Sequence, residues 1–215
     1  RDRADGPVIQ RSSIRGIKAG FTVKKTLEMI KNFRKNDNVT PVILMGYFNT
    51  IYQHGLKKFF IEAKKSGIDG LIIVDLPPEE NEILIPFVKQ FQIDLIRLVT
   101  PTTDSKRLKT ILKDASGFLY YVSVLGITGT KKPSLDKVKQ SVKKIKKHTK
   151  LPIFVGFGIS KVAQVSKISS FADGTVVGSS LVKIIEDSID EKLSQKKMFY
   201  KIESFLKKLE KGCYI

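Results

Sequence analysis

Apolar residues alternate along this chain between two rhythms. Short, nearly continuous apolar runs occur in VTPVILMGYF (39–48), DGLIIVDLPP (69–78), IDLIRLVTP (93–101), GFLYYVSV (117–124), LPIFVGFGIS (151–160) and ADGTVVGSSLV (172–182). Between and after them, apolar positions recur every three or four residues, the helical period. HGLKKFFIEAKKSG (54–67) has such a stripe at Leu56, Phe59, Phe60 and Ala63, closed by Gly67 as a C-terminal cap. Helices are likewise expected over 80–92, 104–116, 134–149, 161–171 and 198–212, with Pro86 kinking the first or displacing its start and Asp104 capping the second. Two further helices, over 6–20 and 22–36, precede the first strand. Strands apolar on both faces are those of parallel sheets covered on both sides. The alternation predicts an α/β fold, barrel or open sheet, in one domain over residues 1–215. A complete (β/α)8 barrel has eight such units. Six are expected here, behind helices with no strand before them, so the first two strands are expected to be missing.

Composition narrows the class. Apolar residues make up 41% of the 215, and no run of 18 or more would span a membrane. The start shows no charged-then-apolar leader pattern. Cys213 is the single cysteine, which fits a reducing, cytoplasmic compartment. The net charge of +18 points either to nucleic acid or to a lysine-rich solvated surface. The lysines sit between apolar positions in SVKKIKKHTK (141–150) and SFLKKLEKG (204–212), with no arginine cluster and no interleaved aromatics. That pattern favours solvated helix faces, so neither a nucleic-acid nor a membrane partner is expected. No metal-binding cluster or nucleophile triad stands out. His54 and His148 read as surface residues.

In a parallel barrel the reacting groups lie at the C-terminal ends of the strands. Those positions hold Tyr47 and Asn49, then Asp75 and Pro77, Thr100 and Pro101, and a long glycine-containing loop, SVLGITGTKKPS (123–134), suited to a lid. Asp75 is either catalytic or a turn cap. Tyr120 and Tyr121 alternate, so one points to the barrel mouth and the other to the helix layer. After the last two strands come GFGIS and GSS. Gly156 and Gly158 let backbone N–H groups approach an anion, and Gly178, Ser179 and Ser180 open a helix whose dipole favours one. Tight turns alone would also explain these glycines, but their pairing at one end of adjacent strands favours phosphate.

The segments ADGPVIQ (4–10), PVILMGYFN (41–49), GIDGLIIVDLPPEE (67–80), YYVSVLGITGT (120–130), PIFVGFGIS (152–160) and ADGTVVGSSLV (172–182) resemble, in order and spacing, the alpha subunit family of tryptophan synthase. The resemblance implies a TIM barrel that cleaves indole-3-glycerol phosphate to indole and glyceraldehyde 3-phosphate. It implies an alpha2beta2 assembly with a beta subunit that carries pyridoxal phosphate, and no cofactor in this subunit. It makes Asp5 catalytic: a carboxylate there accepts the indole N–H as the ring becomes cationic. Asp5 also suits the cap of a helix from Pro7. The resemblance implies a second carboxylate, a glutamate general acid–base, on the strand before the ADGP loop, which lies ahead of residues 1–215. Phosphate would sit near Gly129, Gly158, Gly178 and Ser179, with Phe157 alongside. Thr128 would anchor the lid, and Ile9, Tyr47 and Tyr120 would border the indole and glycerol. Another phosphate-binding barrel isomerase or lyase would share the glycine turns, and a non-catalytic subunit activating a beta partner would share the family's interface.

Overall fold

The computed structural model describes residues 6–123, 134–156 and 158–213. Two helices come first, α1 (Pro7–Lys18) and α2 (Val23–Phe33). They are followed by β1 (Ile43–Gly46), α3 (Phe48–His54), α4 (Leu56–Ser66), β2 (Gly70–Ile73), a 3-10 stretch (Pro78–Ile83) and α5 (Ile85–Phe91). Next come β3 (Asp94–Leu95), β4 (Arg97–Val99), α6 (Ser105–Lys113), β5 (Leu119–Val122), α7 (Leu135–Lys146) and β6 (Ile153–Gly156). The last elements are α8 (Val162–Ser169), β7 (Gly174–Val176), α9 (Ser179–Asp190) and α10 (Gln195–Glu210). The chain forms two compact units: a central one of Gly20–Val99 and Thr103–Leu119, and a terminal one of Arg1–Ala19, Thr100–Thr102 and Tyr120–Ile215.

In the central unit β1, β2 and β3 are parallel, with Ile43 opposite Gly70 and Leu71 opposite Leu95. All four residues of β2 are buried, as a parallel strand covered on both faces requires. The expected stripe of α4 is the one that packs: Phe59, Phe60 and Ala63 are buried with Leu27 and Ile30 of α2 and with Leu84 and Val88. Gly67 ends α4 in the left-handed region at φ 85°, where glycine alone is unstrained.

Three local expectations are corrected. The segment after β1 is helical, not loop, because the Asp75 carboxylate accepts the Phe48 N–H at 2.7 Å and so starts α3. The helix expected over 80–92 is a 3-10 stretch followed by α5. Pro86 lacks an N–H and is tolerated only in a first turn, so α5 begins at Ile85. The strand expected over 93–101 is two short strands, β3 and β4, giving seven strands among the described residues where six are expected, and Ile96 between them donates its N–H to the Leu71 carbonyl at 2.9 Å. His54 is also not a free surface residue. Its side chain is 15% exposed, with Nε2 at 2.7 Å from Glu62 Oε2.

In the terminal unit β6 and β7 are parallel, with Phe154 opposite Gly174 and Gly156 opposite Val176, and β5 flanks β6. Burial alternates along β5 and β6. Tyr121, Ile153 and Val155 are buried, as are Val138, Val142 and Ile145 of α7 and Val165 and Ile168 of α8. The other face of the strands, with Tyr120, Phe154 and Gly156, is half-buried. Helix α9 packs against both α1 and α10.

Candidate functional site

The terminal unit brings the two glycine turns together. The chain leaves β6 at Gly156, and Gly158 then takes a left-handed conformation at φ 62°. Gly178 is the N-cap of α9 and offers no side-chain cap. The first backbone N–H groups of that helix are therefore not capped by its own N-cap residue, and its positive end suits an anion. Ser180 joins the two turns, its hydroxyl donating to the Ile159 carbonyl at 2.6 Å. On the far side of the first turn, the Ser160 and Lys161 N–H groups both donate to Gln164 Oε1 at 3.0 Å.

Tyr120 borders the same region. A methyl group at Gly156 would lie 2.6 Å from the Tyr120 hydroxyl oxygen and 2.7 Å from Cε2, so this tyrosine packs flush against bare backbone. Burial pushes the Tyr120 hydroxyl above its ordinary pKa, keeping it a protonated donor at neutral pH. Tyr121 faces the opposite way and is 1% exposed. The alternation expected for the two tyrosines is thus present, with Tyr121 in the helix layer. Ser123 holds the end of β5 to that of β6, its hydroxyl and N–H donating to the Gly156 carbonyl at 2.5 and 3.1 Å.

Gly158, Gly178, Ser179 and Tyr120 all lie in this unit, as does Ile9, half-buried on α1. Tyr47 lies in the central unit, as the N-cap of α3. Asp75 also belongs there, and its carboxylate caps α3 rather than its own turn. The N-cap of α1 is Gly6. Asp5, Thr128, Gly129 and Phe157 lie outside the described residues, as does residues 124–133 of the expected lid.

Two features escaped the sequence reading. The link from Ser180 to Ile159 has no signal beyond a serine in a first turn. A cluster of Arg11 and Arg15 on α1 with Glu186 on α9 could be suspected only from two arginines four residues apart, on one helix face. Among the described residues no group of three histidine, cysteine, aspartate or glutamate side chains could hold a metal, and no helix is long and apolar enough to cross a membrane.

Residues 3–212 match the family model described as tryptophan synthase alpha chain. The tryptophan synthase alpha subunit of Legionella pneumophila is 34% identical, with a TM-score of 0.88 over 98% of this chain and 76% of its own. A chain from the tryptophan synthase α2β2 complex of Pyrococcus furiosus is 34% identical, with a TM-score of 0.85 over 97% of this chain and 82% of its own. A structure from Aquifex aeolicus is 37% identical, with a TM-score of 0.85 over 97% of this chain and 76% of its own.

Proposed function

The chain belongs to the tryptophan synthase alpha chain family, and from that membership we infer that the protein is a lyase of tryptophan biosynthesis, cleaving indole-3-glycerol phosphate to indole and glyceraldehyde 3-phosphate. The observation that carries the reading is the family match over nearly the whole chain. The two glycine turns joined through Ser180 are the structural feature that supports it. The rival readings, another phosphate-binding barrel enzyme or a purely activating subunit, account for the turns or the interface separately but not for ADGPVIQ.

In this reading the phosphate rests on backbone N–H groups at Gly129, Gly158, Gly178 and Ser179, with Phe157 beside it, and Thr128 anchors the lid. Ile9, Tyr47 and Tyr120 are assigned to the indole and glycerol from the resemblance. Asp5 accepts the indole N–H, whose positive charge grows as the ring is protonated. The proton itself is the task of the family's glutamate on the preceding strand. The partner is a beta subunit in an alpha2beta2 assembly, and pyridoxal phosphate belongs to that partner. No step assigned to this chain runs through it. The finer architecture proposed is a single barrel domain with six βα units of the family's eight, and the compartment proposed is the cytoplasm.

The direct test supplies the gene product with a beta subunit and indole-3-glycerol phosphate. Indole release is expected, and its absence with a competent beta subunit overturns the assignment. A narrower prediction concerns Gly156→Ala. The added methyl must displace the Tyr120 ring, and overpacking of this kind costs about 1–3 kcal/mol. The variant is expected to fold but to bind indole-3-glycerol phosphate about 5- to 100-fold more weakly. An unchanged KM would remove Tyr120 from the substrate's border.

A further inference from the structure

Helix α1 begins two residues after Asp5, and α9 begins at the proposed phosphate turn. The two helices pack against each other, yet no residue of α1 is fully buried. Deep apolar packing therefore does not fix the position of α1. One carboxylate gathers the charged contacts between the helices. Arg11 grips Glu186 through two parallel bonds, Nε to Oε1 at 2.7 Å and Nη2 to Oε2 at 2.9 Å. Arg15, one turn further along α1, adds Nη1 to Oε1 at 2.9 Å. Lys183 of α9 lies 3.4 Å from Oε2. The Glu186 side chain is 5% exposed, so this is not a loose surface pair. A bidentate arginine–carboxylate contact fixes direction as well as distance.

We propose that Glu186 is a positioning residue: by locking α1 to α9 through Arg11 and Arg15, it sets the distance between the start of α1 at Pro7, two residues after Asp5 in the sequence, and the turn that binds phosphate. The proposal rests on the function inferred above. From Arg11 back to Pro7 is about one helical turn, and from Glu186 back to Ser179 about two. The lock therefore sits close behind the first turns of both helices, and a small shift of α1 on α9 moves the point at which α1 begins. Misplacing a reacting group by about 1 Å costs on the order of 100-fold in rate. A lock of this kind acts on turnover and leaves the phosphate turn itself intact. Among the described residues the Glu186 carboxylate accepts from Arg11, Arg15 and Lys183, away from Gly178 and Ser179.

The test uses the gene product with its beta subunit and two variants. Glu186→Gln keeps the shape and removes the charge. Arg11→Gln alters a half-exposed side chain whose loss leaves the fold standing, and it covers the case in which Glu186→Gln fails to fold. Both are expected to lower kcat for indole release about 10- to 100-fold, measured well below their melting temperatures. Glycerol 3-phosphate, a probe confined to the phosphate turn, is expected to bind within about twofold of normal. Hydrogen exchange at the first amides of α1 is expected to accelerate. A role in stability alone would lower the melting temperature and leave kcat of the folded variants unchanged, and that result overturns the proposal. Equal loss of kcat and of glycerol 3-phosphate binding also overturns it, because the phosphate turn would then have moved. If the unmodified protein releases no indole, the functional reading fails. Unchanged exchange in α1 of the variants would then show separately that Glu186 locks nothing.

Discussion

Asp5→Asn is expected to fold normally and to lose turnover by about 100- to 1000-fold, the cost of removing one preorganised group aimed at developing charge. The cleaved bond joins the indole ring to the glycerol side chain. Protonating the ring at that carbon places positive charge on the ring nitrogen, which sharpens the N–H as a donor. A carboxylate accepts that bond more strongly as the charge grows, so it stabilises the transition state more than the bound substrate. An amide presents a neutral oxygen of the same size in the same place, so the substitution removes charge and little else. The loss is therefore expected in kcat, with KM little altered. Steady-state indole release in the presence of the beta subunit measures it, with circular dichroism as the check on folding. The alternative reading of Asp5 is a cap for the helix from Pro7. Turnover close to normal in Asp5→Asn would show that this carboxylate does no chemistry.

The elements legible from the sequence are those whose signal is local. A parallel strand covered on both faces is a short apolar run, and β1, β2, β5, β6 and β7 all fall inside the runs expected to be strands. Helix α4 was legible to its end, since its stripe and its terminal glycine lie in one stretch. The failures are contacts between residues far apart in the chain. Helix α3 starts because a carboxylate 27 residues later takes its first N–H. The run over 93–101 divides because β3 pairs with β2 while β4 pairs with β5, a choice of neighbours that local sequence does not carry. The paired glycine turns were legible because each follows an apolar run directly, while the hydroxyl that ties them spans 21 residues. Glu186 was the hardest case. It is an acidic residue on an amphipathic helix, apparently destined for solvent, and its arginines lie 175 and 171 residues away. Burial of a charge is invisible until its partners arrive from elsewhere in the chain.

Phe60→Ala is expected to cost about 3–5 kcal/mol of stability, the range for removing a fully buried aromatic side chain. Phe60 is 0% exposed. Its ring stands edge-on to Phe59 at 5.5 Å between centroids and stacks on Phe87 at 5.5 Å and Phe91 at 6.1 Å. Those neighbours come from two helices, α4 and α5, so the ring is the shared surface between them. Truncation loses the transfer free energy of the ring and leaves a cavity lined by planar, stiff side chains, which cannot collapse into it as flexible aliphatics would. The site therefore falls at the costly end of the range rather than the cheap one. A domain is stable by only about 5–15 kcal/mol, so the loss takes from about a fifth to the whole of that margin. Urea unfolding followed by far-ultraviolet circular dichroism reads the change, with Lys58→Ala on the exposed face of the same helix as control, expected within about 0.5 kcal/mol of the unmodified protein. A loss below about 1 kcal/mol for Phe60→Ala would mean that α4 and α5 close over the gap, and that the aromatic cluster fills the core without holding the two helices in place.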